Sequence, residues 1–254
     1  PLILGNVFQQ LYNMVDTVIV GKFVGVNALA GVGSTGAINF LVIGFALGIC
    51  SGFSIMIAQR FGAGDYSGMR KFIANSIYLC IAVAVILTAV TMLLTKPILT
   101  VMNTPKEIYD YAYNYIIIIF AGISATMFYN ILSGILRAVG DSRTPLIFLG
   151  VSSVLNVGLD LLCIIVFKMG VAGAGIATVI SQAISAFLCL IYIRKNYDIL
   201  RFEHDEFKFE AHRAKRLVSV GIPMALQFSI TAIGSIILQS AVNSLGTASV
   251  ASVT

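Results

Sequence analysis

The chain has 254 residues, 58% hydrophobic and only 11% charged, with a mean hydropathy of +0.96. Ordinary soluble domains carry about 25% charged residues and about 45–50% apolar ones, so this composition argues against a soluble enzyme, a nucleic-acid-binding module and a disordered chain. The net charge of +5 and the pI near 9.1 say less than the place of each charge, because basic residues in a membrane protein report its orientation.

A spanning helix needs about 20 predominantly apolar residues. Windows 23–59, 72–95, 111–136, 169–193 and 217–254 contain no charge, and windows 1–21 and 144–167 contain one acid each, Asp16 and Asp160. In chain order these windows predict spanning helices near 2–23, 29–59, 71–95, 108–138, 144–167, 171–194 and 217–243, with an eighth starting near 248. Val24-Gly25-Val26-Asn27 marks the turn after the first helix. Lys96-Pro97 and Thr104-Pro105 flank the predicted loop after the third. Tyr109, Tyr111, Tyr113 and Tyr115, at the start of the fourth, suit an interface belt. Thr144-Pro145 opens the fifth, a hydroxyl cap before a proline whose missing N–H costs nothing in a first turn. Pro223 lies early in the seventh, and Ser244-Leu245-Gly246-Thr247 ends it.

Segments after even-numbered helices hold Arg60, Arg70, Lys71, Arg137, Arg143, Arg194, Lys195, Arg201, Lys208, Arg213, Lys215 and Arg216. Segments after odd-numbered helices hold only Lys22, Lys96, Lys106 and Lys168, which places the even loops and the N-terminus in the cytoplasm. In the longest loop, 195–216, Phe207, Ala211, Ala214 and Leu217 recur at helical spacing. An interfacial helix and a solvated linker are both compatible with that pattern.

Segments 1–33 and 223–254 resemble one another, with Pro1 matching Pro223 and Leu4 matching Leu226. The restart follows six helices, as in parallel transporter repeats. The expected organisation is an N-lobe at 1–195, a cytoplasmic inter-lobe loop at 196–216, and the opening of a C-lobe at 217–254. Both ends look cut from a longer protein.

Cys50, Cys80, Cys163 and Cys189 lie in apolar stretches and read as free structural thiols. His204 and His212 share one charged loop, and no metal cluster or hydrolytic triad assembles around them. Nine of the eleven acids lie in loops; the exceptions are Asp16 in helix one and Asp160 in helix five. An intramembrane acid is costly and faces a cavity, binds a cation or carries a proton. Polar stripes accompany them: Asn6, Gln9, Asn13 and Asp16 in helix one, and Asn156 and Asp160 in helix five. Helix four repeats Gly122, Thr126, Asn130 and Gly134, and helix seven repeats Gln227, Thr231, Ser235, Gln239 and Asn243. Of these, Gln9, Asn13, Asn130, Gln227 and Thr231 are the candidate lining of a substrate cavity. Gly44, Gly48 and Gly52, and Gly173, Ala177, Ser181 and Ser185, form small-residue ridges for close helix approach.

The run from Pro1 to Gly21 resembles the first helix of the multidrug and toxic compound extrusion (MATE) transporters. Ala28-Leu-Ala-Gly-Val-Gly33, Ile57-Ala-Gln-Arg-Phe-Gly-Ala-Gly-Asp65, Arg137-Ala-Val-Gly-Asp-Ser-Arg-Thr-Pro145, Asn156-Val-Gly-Leu-Asp160 and Gly173-Ala-Gly-Ile-Ala-Thr178 extend the likeness over the whole chain. The resemblance implies an all-α integral membrane protein: a six-helix N-lobe bundle, then helix seven and the start of helix eight of a twelve-helix, two-lobe transporter. It implies efflux of organic cations and other amphipathic drugs across the plasma membrane, exchanged for H+ or Na+, with no enzyme activity and no cofactor beyond the coupling ion. The expected partners are the drug, the bilayer and the C-lobe of the same protein, not nucleic acid. By the pattern of the DinF-like branch, Asp16, Asn156, Asp160 and Thr178 form the cation site, with the Ala174 carbonyl as a further ligand and Asp16 and Asp160 as the anchors for Na+. The NorM-like branch carries a membrane glutamate in helix seven; here Gln227 and Thr231 stand in that helix. The alternative, a flippase for lipid-linked oligosaccharides, calls for basic residues at mid-membrane, and this chain has none.

Overall fold

The computed structural model describes residues 14–203, 205–245 and 250. Among them the regular structure is helical throughout. The first helix, α1, is described over 14–23. Then come α2 (Val26–Ser34), α3 (Gly36–Gly62), α4 (Tyr66–Val101), α5 (Lys106–Ala121), α6 (Ile123–Ala138) and α7 (Arg143–Leu161). A π-helical turn (Leu162–Val166) prolongs α7, and α8 (Val171–Asn196), a 3-10 turn (Asp198–Leu200) and α9 (Ala211–Ser244) follow. Five of these units are long and apolar enough to cross a membrane: α3, α4, α7 with its π turn, α8 and α9. A sixth is the pair α5 and α6, bent by 47°.

The bend falls at Gly122, where a Cβ would collide with Val179 of α8. Glycine thus lets α8 approach the corner, and Thr88 of α4 donates its hydroxyl to the Phe120 carbonyl beside it, at 3.3 Å. The second span is also divided. Instead of one helix over 29–59, α2 and α3 meet at Thr35, where the Ser34 and Thr35 hydroxyls bond the carbonyls of Gly31 and Val32 at 2.8 and 2.6 Å.

Other boundaries differ from the sequence reading. Pro97 lies inside α4, not in a loop. Leu99 and Met102, 1% and 2% exposed, are packed into the core and hold the last turns helical despite the missing N–H. The chain turns instead at 102–105, with Asn103 left-handed at φ 52°. At the start of α7 the N-cap position is Ser142, and the first N–H groups, those of Arg143 and Thr144, are met not by the Thr144 hydroxyl but by Asp141 Oδ1, at 3.1 and 3.0 Å. Gly25, at φ 120°, makes the expected turn after α1. Gly246 and Thr247 of the later turn lie outside the described residues.

A main core joins α3, α4, α5 and α6 through Phe53, Ile57, Phe72, Phe120 and Met127, each about fully buried. A smaller one gathers Ile19, Val20, Ala28, Val32, Tyr115, Ile119, Ile164, Val171 and Ala174. Tyr115 therefore is not an interface residue. It lies one turn before Ile119 on the inward face of α5, whereas Tyr111 remains 37% exposed. The seventh span, α9, packs on α3 at its glycines. A Cβ on Gly48 would strike the backbone of Ala225, and one on Gly52 the backbone of Gly221, so the two helices approach to backbone contact.

The loop before α9 does not form an interfacial helix; apart from Leu200 and Glu206 its described residues are mostly exposed, as in a solvated linker. Among its described residues the 3-10 turn is the one regular element, and α9 begins at Ala211. The helical spacing of Ala211, Ala214 and Leu217 belongs to the first turns of α9, where Ala214 and Leu217 are buried. Phe207 lies outside that helix and is 46% exposed.

Candidate functional site

Asp16 on α1 and Asp160 on α7 meet inside the bundle. They are 6% and 0% exposed, and their carboxyl groups face each other within hydrogen-bonding reach. Each keeps one oxygen, Oδ1, without a hydrogen-bond partner. Neither forms an ion pair with a basic residue among the described residues. Asn156, one turn before Asp160 and fully buried, fits its surroundings with its amide nitrogen 3.0 Å from Asp160 Oδ2 and its oxygen 3.3 Å from Thr178 N. The Thr178 hydroxyl donates to the Ala174 carbonyl at 3.0 Å. All five residues assigned to the cation site by resemblance are thus drawn together from α1, α7 and α8.

The local sequence explains the convergence. Asn156 and Asp160 share a face of α7 because four residues make about one turn. Immediately after Asp160 the helix widens into the π turn 162–166. There Cys163 meets α8 at Gly173, where a Cβ would lie 3.0 Å from Cys163 Cβ. The chain enters α8 through Gly170 at φ 58°. With no side chain at Gly173, α8 closes on α7 and carries Ala174 and Thr178 to the level of Asp160. The carboxylates, amide, hydroxyl and carbonyl are all hard oxygen donors, a set suited to a proton or to Na+ rather than to a soft metal.

Of the expected substrate-lining residues, Asn130, Gln227 and Thr231 are described. Gln9 and Asn13, like Asn6, lie outside the described residues. Asn130 spends its amide on its own helix, bonding Thr126 O at 2.8 Å. Gln227 and Thr231 are exposed on α9, with the Thr231 hydroxyl 3.4 Å from Gln227 O. Farther along that stripe, Ser235 and Gln239 line a crevice of about 260 Å³ against Gly33, Gly36, Ala37 and Phe40. Asn243 leaves the crevice: it is buried, accepts from Gln239 at 3.0 Å and donates to Met102 O at 3.0 Å.

A second charged cluster had no sequence signal. Arg70, near the start of α4, pairs with Glu206 through Nε and, at 2.9 Å, through Nη2, and reaches Glu203 Oε1 at 2.9 Å. Asn75, one turn on, accepts from Glu210 N at 2.8 Å and donates to Lys208 O at 3.3 Å. The Arg70 guanidinium beside Glu206 holds that carboxyl down at about 2. These contacts join positions more than 120 residues apart, which no local spacing encodes.

Comparisons with known proteins agree on the family. The MatE family model matches residues 1–162. A Bacillus subtilis (strain 168) protein named "Probable multidrug resistance protein YpnP" is 32% identical over 247 residues, covering 97% of this chain and 55% of the relative. An inward-facing multidrug resistance MATE transporter of the MOP superfamily superposes with a TM-score of 0.87 at 27% identity, over 96% of this chain and 56% of that one. A MOP superfamily transporter from Pyrococcus furiosus, described as having a binding pocket of reverse polarity that suggests a different function, superposes with a TM-score of 0.82 at 28% identity, over 90% of this chain and 50% of that one. The chain thus spans about half the length of the relatives it matches. On the family match, the helical architecture and the shared motifs, the chain belongs to the MatE family of membrane transporters.

Proposed function

We propose that this chain is the first lobe, and the opening of the second, of a multidrug efflux antiporter that exports organic cations and amphipathic compounds in exchange for H+ or Na+. Residues 1–195 form the N-lobe, 196–216 the cytoplasmic inter-lobe segment, and 217–254 the start of the C-lobe. The end bearing most of the basic residues faces the cytoplasm. The relatives named as multidrug resistance proteins support the transport class.

The single observation that carries the mechanism is the buried contact between Asp16 and Asp160, which among the described residues has no ion pair with a basic residue. Two carboxylates cannot both stay ionised at contact in low dielectric, so the pair takes up a proton or a sodium ion. Asp16 and Asp160 anchor the cation, the Thr178 hydroxyl and the Ala174 carbonyl are its further oxygen ligands, and Asn156 steadies Asp160 through its amide nitrogen. Binding removes the repulsion across the α1–α7 contact and favours closure of α1 against α7 and α8. A cationic drug in the cavity competes for the same negative charge. Exchange follows when each occupant favours a different orientation of the lobes. The described spans carry acids but no bases at mid-depth, which supports a cationic cargo over a pyrophosphate-linked lipid.

The test is drug efflux by the full-length protein carrying Asp16→Asn or Asp160→Asn, with expression and membrane insertion checked. The expected result is loss of efflux in both. Undiminished efflux in both would reject the reading, and assays in sodium-free buffer across pH assign the coupling ion.

A further inference from the structure

The segment joining α8 to α9 exposes three phenylalanines, Phe202, Phe207 and Phe209, at 39%, 46% and 56%. They form one patch with Tyr78 of α4. The Phe202 and Phe207 rings meet edge-on at 4.9 Å, and Tyr78 lies 5.2 Å from Phe207 and 6.2 Å from Phe209. Their backbone is fastened from behind. The Tyr78 hydroxyl donates to Phe207 O at 3.4 Å, Asn75 holds Lys208 and Glu210, and Arg70 holds Glu203 and Glu206. The inner side of the segment is thus occupied by polar contacts, and the three rings stay partly exposed beside Tyr78.

Their depth follows from α4. Lys71 is its last charged residue before a charge-free run that ends at Thr95, and Asn75 and Tyr78 stand one and two turns into that run. The patch therefore lies where the charge-free surface of α4 begins. The charges around it complement a membrane surface. Asp198 pairs with Arg201, Asp205 with Lys208 and Glu210 with Arg213, at 2.9, 2.5 and 2.6 Å. Lys215 and Arg216, exposed in the first turns of α9, form no ion pair among the described residues.

We infer that segment 202–209 is a membrane-interface anchor. Its three phenylalanines seat at the headgroup–acyl boundary of the leaflet on the basic side, and Lys215 and Arg216 draw anionic phospholipid headgroups to it. Buried aromatic area and basic side chains near a negative surface are the two attractions that hold an interfacial element. The anchor would fix the inter-lobe segment at one depth while the lobes move, and it depends on the membrane position of the chain, not on the ion site.

The test places a reporter ring in the patch. The 254 residues contain no tryptophan, so Phe207→Trp in the full-length transporter is read against the parent protein. The protein is reconstituted into phosphatidylcholine vesicles containing phosphatidylglycerol, with spin-labelled lipids carrying the label near the headgroup or at mid-chain. The expected result is at least twofold stronger quenching of the added fluorescence by the shallow label. Quenching should also be stronger when the labelled lipid is phosphatidylglycerol, a preference lost with Lys215→Gln and Arg216→Gln together. Phe202→Trp is the second reporter should the first variant fail to insert. Fluorescence quenched by neither lipid label would mean that protein or water covers the patch, and stronger deep quenching would place it in the hydrocarbon; either overturns the inference. Equal quenching by both headgroup types would overturn the role of Lys215 and Arg216.

Discussion

Glu206 and Asp160 are both sealed from solvent, at 4% and 0% exposure, yet their surroundings are opposite. Glu206 meets the guanidinium of Arg70 on two sides and also accepts from Glu203 N at 2.9 Å. The charged neighbour of Asp160 is another acid, Asp16, and a buried oxygen on each is left without a partner. A buried charge must be compensated. Where the protein supplies the counter-charge as a fixed side chain, the acid fastens structure. Where it supplies no counter-charge, as at Asp160, the proposed function has a mobile cation compensate, and the site can then respond to what occupies it.

This contrast predicts that the two sites fail differently. The largest effect belongs to the carboxylate pair: Asp160→Asn should remove ion-coupled efflux while leaving the thermal unfolding midpoint of the purified protein at or above that of the parent, because a like-charge contact is relieved. A fall in the midpoint of Asp160→Asn as large as that of an Arg70 variant would erase the distinction. Next comes Arg70→Met, which strands Glu206 and should destabilise the fold by about 3–5 kcal/mol, seen as a lowered midpoint. Adding Glu206→Leu should restore most of the loss, since a buried ion pair replaced by apolar side chains is often neutral.

The third prediction concerns pH. Arg70 holds the Glu206 carboxyl at about 2, below its ordinary 4.5. Its contribution to stability is therefore complete above about pH 4.5 and is lost as pH falls through 2. The parent should show this acid limb, and the Arg70→Met, Glu206→Leu double variant should show less of it. The smallest effect tests an intermediate acid. Asp141 forms no ion pair among the described residues but accepts from the Tyr197 hydroxyl at 2.9 Å and from two backbone N–H groups of α7. Tyr197→Phe should cost about 1 kcal/mol, one hydrogen bond, without altering efflux.

The spans and the acid pair were legible because both rest on properties that local sequence carries. Charge-free windows mark the membrane, and an acid within one, as at Asp16 and Asp160, stands out against its neighbours. What the sequence hid depends on contacts made after folding. The helix continues through Pro97 because Leu99 and Met102 are packed beyond it, which propensity cannot register. Tyr115 faces inward although its neighbours are tyrosines as well, since only the packing of α5 distinguishes the faces. The Arg70–Glu206 pair arises from the meeting of distant segments. The polar stripe on α9 also divides once folded: Gln227 and Thr231 are exposed, while Asn243 is buried against the turn after α4.

The central claim is that the Asp16–Asp160 contact holds the coupling cation and yields it to the drug. Its most direct test is the release of that cation on drug binding to the purified full-length transporter, followed by proton release into weakly buffered solution and by displacement of radiolabelled sodium. The account predicts release by the parent protein and none by Asp160→Asn. Equal release by both would contradict it.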